Sequence, residues 1–199
     1  MTRPLPNPNT YWVPGSDDHL LAGYYPGMRD PGGDAPAALA AKLRAYLDAG
    51  VDFFIDLTRP YELVPYEPAL LAEAQAAGVT VTYRRMSIYD VSVPTRDSMA
   101  GILNTIDKAI AGGHTVCVHC WGGVGRTGTV VGCWLVRHGM DGRAALVRVQ
   151  ELFSASELAN YRHDRSPETD RQRDFVRGWK EGDRRTGGGV APFGGEYGS

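Results

Sequence analysis

The chain has 199 residues, of which 43% are apolar and 22% charged, with a formal net charge of −2. That length suits one domain with a sizeable core and is short for two, and the charge balance lacks the basic excess of a nucleic-acid binder. No apolar run approaches the ~20 residues that a membrane span needs, and three cysteines at irregular spacing do not make a disulfide framework, so a reducing, cytoplasmic setting is expected.

Residues 1–18, rich in Pro and Asn, read as an irregular arm with no apolar stretch of the signal-peptide kind. The run "HLLAGYYPG" reads as a short first strand that turns at Pro26-Gly27. Asp34 is placed to cap a helix through Ala49, with Leu39, Leu43 and Leu47 on one face and Gly50 as its stop. "VDFFIDL" is a β-rich apolar run and predicts a buried strand. A helix over roughly 68–77 leads through Gly78 into "VTVTYRRM", which alternates like a strand. Thr95 is then positioned to cap a helix to about Ala111 that carries Met99, Ile102, Leu103, Ile106 and Ile110 on its inner face. "HTVCVH" is the next strand, and helices are expected over about 126–138, 141–153 and 167–180. Alternation of strands and helices predicts an α/β fold with a mostly parallel central sheet flanked by helices, over residues 19–181. The Gly-rich run 182–199 has no periodicity and reads as a disordered tail.

The stretch "VCVHCWGGVGRTGTVVG", residues 116–132, sets a cysteine between an apolar strand and a helix, with glycines around one arginine. Gly123, Gly125 and Gly128 fit G-x-G-x-x-G, but no strand bearing an acid follows, as a dinucleotide site requires. A nucleotide-triphosphate loop would need G-K-[ST], which does not occur. A glycine turn with a buried, inert cysteine is the plain alternative. It leaves the fixed companions of the cysteine without a purpose. Successive backbone N–H groups of a strand–loop–helix form a nest for a tetrahedral anion, and the helix adds its free N–H groups and dipole. Glycines at 122, 123 and 125 allow positive φ and close approach. Arg126 can grip two oxygens with its planar fork. Cys120 at the base of this positive bowl would rest as a thiolate and attack a bound phosphate in line, giving a phospho-cysteine. The pair Cys117 and Cys120 has C-x-x-C spacing but no second pair, so no metal site is expected, and no cofactor.

The pattern H-C-x-x-x-x-x-R-T resembles the loop of the cysteine-based tyrosine and dual-specificity phosphatases. "HCWGGVGRTG" is most similar to kinase-associated phosphatase and its bacterial relatives, as are "DLTRPYELVPY" and "SIYDVSVP"; the resemblance covers roughly residues 50–180. It implies a dual-specificity-type strand–phosphate loop–helix, a metal-free two-step hydrolysis of phosphomonoesters, and phosphorylated proteins as substrates. An inositol phosphate or other small phosphoester is the alternative substrate, and a phosphate-binding module without turnover is a weaker one. The implied nucleophile is Cys120, with Arg126 as the oxygen clamp and Asp90 as the general acid; Asp97 is the rival acid. Trp121, Gly122, Gly123, Val124, Gly125 and Arg126 form the implied phosphate loop. His119 and Thr127 support it, the first by ordering the loop and the second by a hydroxyl toward the sulfur. "SPETDRQRDFV" resembles the water-positioning segment of tyrosine phosphatases, with Gln172 or Glu168 as its candidate; a capping run from Ser166 to Glu168 explains those residues without catalysis and is the preferred reading of them. Asp56 and Arg59 bracket a strand end and read as a structural contact.

Overall fold

The apolar runs at 51–57 and 114–119 lie side by side at the centre of one sheet. The computed structural model describes residues 3–28, 36–160 and 164–181. In chain order its elements are β1 (Thr10–Trp12), β2 (Leu20–Gly23), α1 (Pro36–Asp48), β3 (Phe53–Asp56), α2 (Glu67–Ala77), β4 (Thr82–Arg85), α3 (Arg96–Ala111), β5 (Val116–His119), α4 (Gly125–Arg137), α5 (Gly142–Ser154) and α6 (Asp170–Arg177), with a short 3₁₀ turn at Glu157–Asn160. The sheet order is β1-β2-β5-β3-β4. All neighbours run parallel except β1, which is antiparallel to β2.

Both faces of the sheet are buried, which is why β3 and β5 are nearly continuous apolar runs rather than alternating ones. Phe53, Ile55, Val116 and Val118 face a core shared with α3, α4 and α5, whereas Phe54 and Cys117 face a second core with α1 and α2. Cys120 belongs to the first core and Cys117 to the second. Alternation along the strand therefore separates the two thiols, and all three cysteines are free. No helix among the described residues is long and apolar enough to cross a membrane.

Three expectations differ from the structure. The arm 1–18 is not wholly irregular, because β1 forms within it. Asn7 builds a turn that feeds the strand, accepting from Asn9 N at 2.9 Å and taking Thr10 Oγ1 on its carbonyl at 2.7 Å. Its amide also reaches Tyr46 Oη at 2.8 Å. Three residues of strand are too few to show a period. Second, α6 starts at Asp170 rather than 167, since Thr169, not the run from Ser166 to Glu168, caps it. Thr169 and Gln172 form a reciprocal capping box, while the Ser166 hydroxyl donates instead to the Val124 carbonyl at 2.8 Å. Third, of the loop glycines 122, 123 and 125, only Gly123 has a positive φ, of 72°. The expected cap at Asp34 and the tail 182–199 lie outside the described residues.

Thr95 caps α3 through Ser98 N, as the sequence suggests, and Gly78 ends α2 in the left-handed conformation. The C-terminal ends of β3 and β5 thus open onto one side of the molecule, together with the start of α4. In parallel sheets this is where ligands are taken.

Candidate active site

Between β5 and α4 the chain turns tightly over residues 120–124. A Cβ on Gly123 would stand 2.6 Å from the Gly23 carbonyl carbon, so the loop lies directly on the end of β2. A Cβ on Gly125 would meet Glu168 Oε2 at 2.9 Å and Gln172 Nε2 at 3.0 Å. Gly125 is thus a packing requirement, which lets the start of α6 approach the loop. Both candidates for the water-positioning role, Gln172 and Glu168, are brought to the start of α4 in this way. Gln172 is buried, its amide N–H donating to the Ser92 carbonyl at 3.2 Å and its oxygen accepting from Thr169 N.

Cys120 is 2% exposed at the base of the loop, and Trp121 is 44% exposed at its edge. Arg126, in the first turn of α4, is 1% exposed. Its Nη1 and Nη2 donate to the two carboxylate oxygens of Glu62 at 2.9 and 2.6 Å. Nη1 also donates to the Ile88 carbonyl at 3.3 Å, and Nη2 lies 3.0 Å from Asp90 Oδ1. Burial works against the charge of the guanidinium, but the hydrogen bonds to Glu62 together with the negative charges around it outweigh burial and hold Arg126 firmly protonated. Burial likewise would raise Glu62, but the Arg126 bonds and charge together with the Arg59 backbone N–H hold it below its ordinary value. At the loop itself, Arg126 Nε and Thr127 Oγ1 are buried without a partner, as are Tyr11 Oη on β1 and Arg85 Nε, Arg137 Nε and Trp179 Nε1 elsewhere among the described residues. Buried polar groups are normally satisfied, and the two at the loop lie where an anion would supply an acceptor.

Behind the loop lies a polar cluster whose centre, Asp56 and His119, is buried, with Tyr83 and Arg85 partly exposed at its edge. Asp56 accepts from the backbone and hydroxyl of Thr58 at 2.8 and 2.6 Å, from Tyr83 Oη at 2.6 Å and from Arg85 at 3.2 Å. Burial raises its pKa, while His119, Thr58 and Tyr83 bring it below the ordinary value. His119 is fully buried, and desolvation lowers its pKa despite the nearby Asp56. Its Nε2 is 2.7 Å from Tyr66 Oη. Its Nδ1 is 3.5 Å from the Cys120 carbonyl and 4.0 Å from Asp56 Oδ1, both of them acceptors. The neutral ring therefore carries its proton on Nδ1 and accepts the Tyr66 hydroxyl proton at Nε2. This chain ties β3, β4 and α2 to the residue before the cysteine.

Of the two rival acids, Asp90 is next to Arg126 and half exposed, at 51%. Asp97 sits exposed in the first turn of α3, where a carboxylate complements the helix dipole. A cavity of about 460 Å³ opens beside the loop, lined by Arg59, Tyr61, Glu62, Tyr89, Asp90 and Trp121. The Arg59 guanidinium lies over the Tyr89 ring, 4.2 Å from its centroid. Arg59 is thus a mouth residue rather than a companion of Asp56. Among the described residues no three His, Cys, Asp or Glu side chains are grouped as a metal ion would require.

Glu62 was not singled out by sequence reasoning, although it lies within "DLTRPYELVPY". Its available signal was its place, six residues beyond Asp56 on a loop leaving the C-terminal end of a central parallel strand.

A family model described as Tc-R-P, a DSP-PTPase phosphatase of polymorphic toxin systems, matches residues 26–140, more than half of the chain. The chain is 38% identical over 61 residues to the uncharacterized protein MJECL20 of Methanocaldococcus jannaschii, a match covering 31% of this chain and 42% of that relative's length. Among solved structures, the active form of Tk-PTP superposes with a TM-score of 0.59 at 24% identity, covering 85% of this chain and 94% of the other. Kinase associated phosphatase carrying serine for its catalytic cysteine gives 0.61 at 18%, over 79% and 83%. PTPMT1 in complex with PI(5)P gives 0.59 at 20%, over 84% and 93%. At these identities the likeness is one of fold.

Proposed function

The chain belongs to the DSP-PTPase phosphatase family, and on that premise we propose that it hydrolyses phosphomonoesters through a phospho-cysteine at Cys120. The observation that carries this reading is the buried Arg126, whose unpartnered Nε–H stands at the start of α4, six residues after an equally buried cysteine. A phosphoryl group seated there receives the loop N–H groups, the α4 dipole and the side edge of the guanidinium. The loop supplying those contacts comprises Trp121, Gly122, Gly123, Val124, Gly125 and Arg126.

In the first step the Cys120 sulfur forms a bond to phosphorus as the bond to the leaving oxygen breaks, and Asp90 passes its proton to that oxygen. In the second, water attacks phosphorus, its proton returns to Asp90, and the sulfur departs as thiolate. Charge on the equatorial oxygens is spread over Arg126 and the backbone donors. We assign the buried, unpartnered Thr127 hydroxyl to the departing sulfur, and Gln172, which packs beside Gly125, to the attacking water once its amide leaves its present partners. His119 orders the Cys120 carbonyl. Nucleophile, clamp and acid are all side chains, so the chemistry calls for no cofactor.

For the substrate we favour a phosphorylated protein side chain. Exposed Tyr61, Tyr89 and Trp121 surround the mouth, and Arg59 is its one cation among the described lining residues. A polyphosphorylated inositol would want several cations there. The test is a turnover panel of phosphotyrosyl and phosphoseryl peptides and inositol phosphates, run on the wild type and on Cys120→Ser. The peptides should be hydrolysed and the serine variant should be inactive on every substrate. Near-normal turnover by Cys120→Ser would overturn the reading, and preference for an inositol phosphate would overturn the substrate.

A further inference from the structure

One buried side chain of β1 has no part in the steps above. Tyr11, the middle residue of that strand, is 5% exposed, and its hydroxyl is buried with no hydrogen-bond partner. A phenol buried dry costs more than a phenylalanine of nearly the same shape, so the hydroxyl calls for an acceptor. The sheet register brings one close. Tyr11 pairs with Ala22 and Ala22 with Val118, a single row across three strands. All three face the core shared with α3, α4 and α5, and Cys120, two residues beyond Val118, belongs to the same core. Ala22 is the smallest side chain of the row, which leaves the ring room to lie over β2. In the next row Gly23 stands between Thr10 and His119, and a Cβ there would collide with the Asn9 carbonyl. The first strand is therefore packed hard against the one on which the loop rests. Burial and the charge of Cys120 both push the Tyr11 phenol up, so the hydroxyl keeps its proton and has it to donate.

We propose that the Tyr11 hydroxyl is a hydrogen-bond donor to the Cys120 sulfur whenever that sulfur is a thiolate, reaching it from β1 while Thr127 serves it from α4. This rests on the phosphatase reading above. Tyr11 and Cys120 are not hydrogen-bonded in the structure; the negative charge of the thiolate draws the phenol in. No proton is transferred. The bond forms on the resting thiolate, is given up while sulfur is joined to phosphorus, and forms again as the sulfur departs with its electron pair. A thiolate in an apolar core is costly without donors, and β1 supplies one from a part of the chain more than a hundred residues away.

The experiment compares Tyr11→Phe with the wild type in the full chain, following alkylation by iodoacetamide and turnover of an aryl phosphate across pH. Burial pushes the thiols of Cys117 and Cys133 up, so neither competes for the reagent, and Cys120→Ser supplies the background. The other groups around the sulfur are common to both proteins: Arg126 with Glu62 and Asp90 at its η nitrogens, the buried His119, and Glu168 beside Gly125. At the acid end of the profile, where thiolate is scarce, Tyr11→Phe should be alkylated about tenfold more slowly, the worth of a charge-assisted hydrogen bond. The two proteins should converge at the alkaline end. Steady-state turnover should fall with the initial burst retained, because the sulfur departs less readily, and the melting temperature should not drop. Should Tyr11→Phe not fold, 3-fluorotyrosine at position 11, nearly the same size and a stronger donor, should speed alkylation at the acid end instead. An alkylation profile that coincides with the wild type in whichever variant folds would overturn the proposal. So would an equal loss at every pH, which would mean that the ring only packs in the core. None of these outcomes touches the phosphatase reading, which stands or falls with turnover by Cys120→Ser.

Discussion

The floor and the mouth of the site are built in opposite ways. Cys120, Arg126, Thr127 and His119 are all buried, and Arg126 and His119 are fixed by side chains far away in the chain. Tyr61, Tyr89, Asp90 and Trp121 are exposed on the loops around them. The floor holds groups whose charge or orientation would be useless in water: a guanidinium aimed by a carboxylate, and an imidazole whose tautomer is set on both sides. The mouth offers flat, partly apolar surface and one arginine, stacked on Tyr89. Chemistry common to any phosphomonoester is placed where packing can hold it rigid, and discrimination is placed where it can vary without disturbing the core.

The sharpest way to break this division is at Asp90, which belongs to both regions. Asp90→Asn keeps the loop's shape and removes the proton, so turnover of a poor leaving group should fall by ~10²–10⁴, the range for losing a general acid. A good leaving group should lose little, and the alkaline limb of the pH–rate profile should flatten. Asp97→Asn should do neither. If the two aspartates exchange these outcomes, the acid lies on α3 and the mouth carries no chemistry.

The floor can be tested apart from catalysis, by stability against pH. His119 has a lowered pKa when folded, so below about pH 6.5 the unfolded chain binds a proton that the folded protein refuses, and stability begins to fall. Asp56 and Glu62 are also lowered. Their contribution is full above their unfolded values and is lost as pH falls through the folded ones, giving a second decline below about pH 4. Thermal melting across pH 3–8 should show both steps, and His119→Asn should remove only the first. A flat melting temperature between pH 7 and 5 in the wild type would show that the buried cluster is not held neutral at His119.

The smallest effect is expected at the mouth. Trp121→Ala should leave a small aryl phosphate nearly untouched and weaken phosphopeptides by a few-fold, the value of about one aromatic contact. An equal loss on both substrates would mean that Trp121 supports the loop, and the mouth would then be part of the floor.

Much of this was legible in the linear chain, for identifiable reasons. The strand–loop–helix around Cys120 is local. Its residues are consecutive, its helix follows at once, and a 3.6-residue period marks the α3 face of Met99, Ile102, Leu103 and Ile106 without any partner being known. β1 escaped because three residues on a sheet edge have no period, and their turn is made by Asn7 side-chain bonds. The start of α6 was misplaced because several residues there are able to cap, and only the packing of Ser166 on Val124 leaves the task to Thr169.

By itself the sequence determined the order of the elements after β1, the mostly parallel sheet and the spacing that sets a cysteine, glycines and an arginine into one turn. These follow from side-chain periodicity and backbone freedom, which act between near neighbours. Tertiary structure alone decided that Glu62 meets Arg126 across 64 positions and that Tyr66 meets His119 across 53. The physical reason is that a buried charge must be paired by whatever the fold brings within about 3 Å, and closeness in space leaves no period in the chain to read.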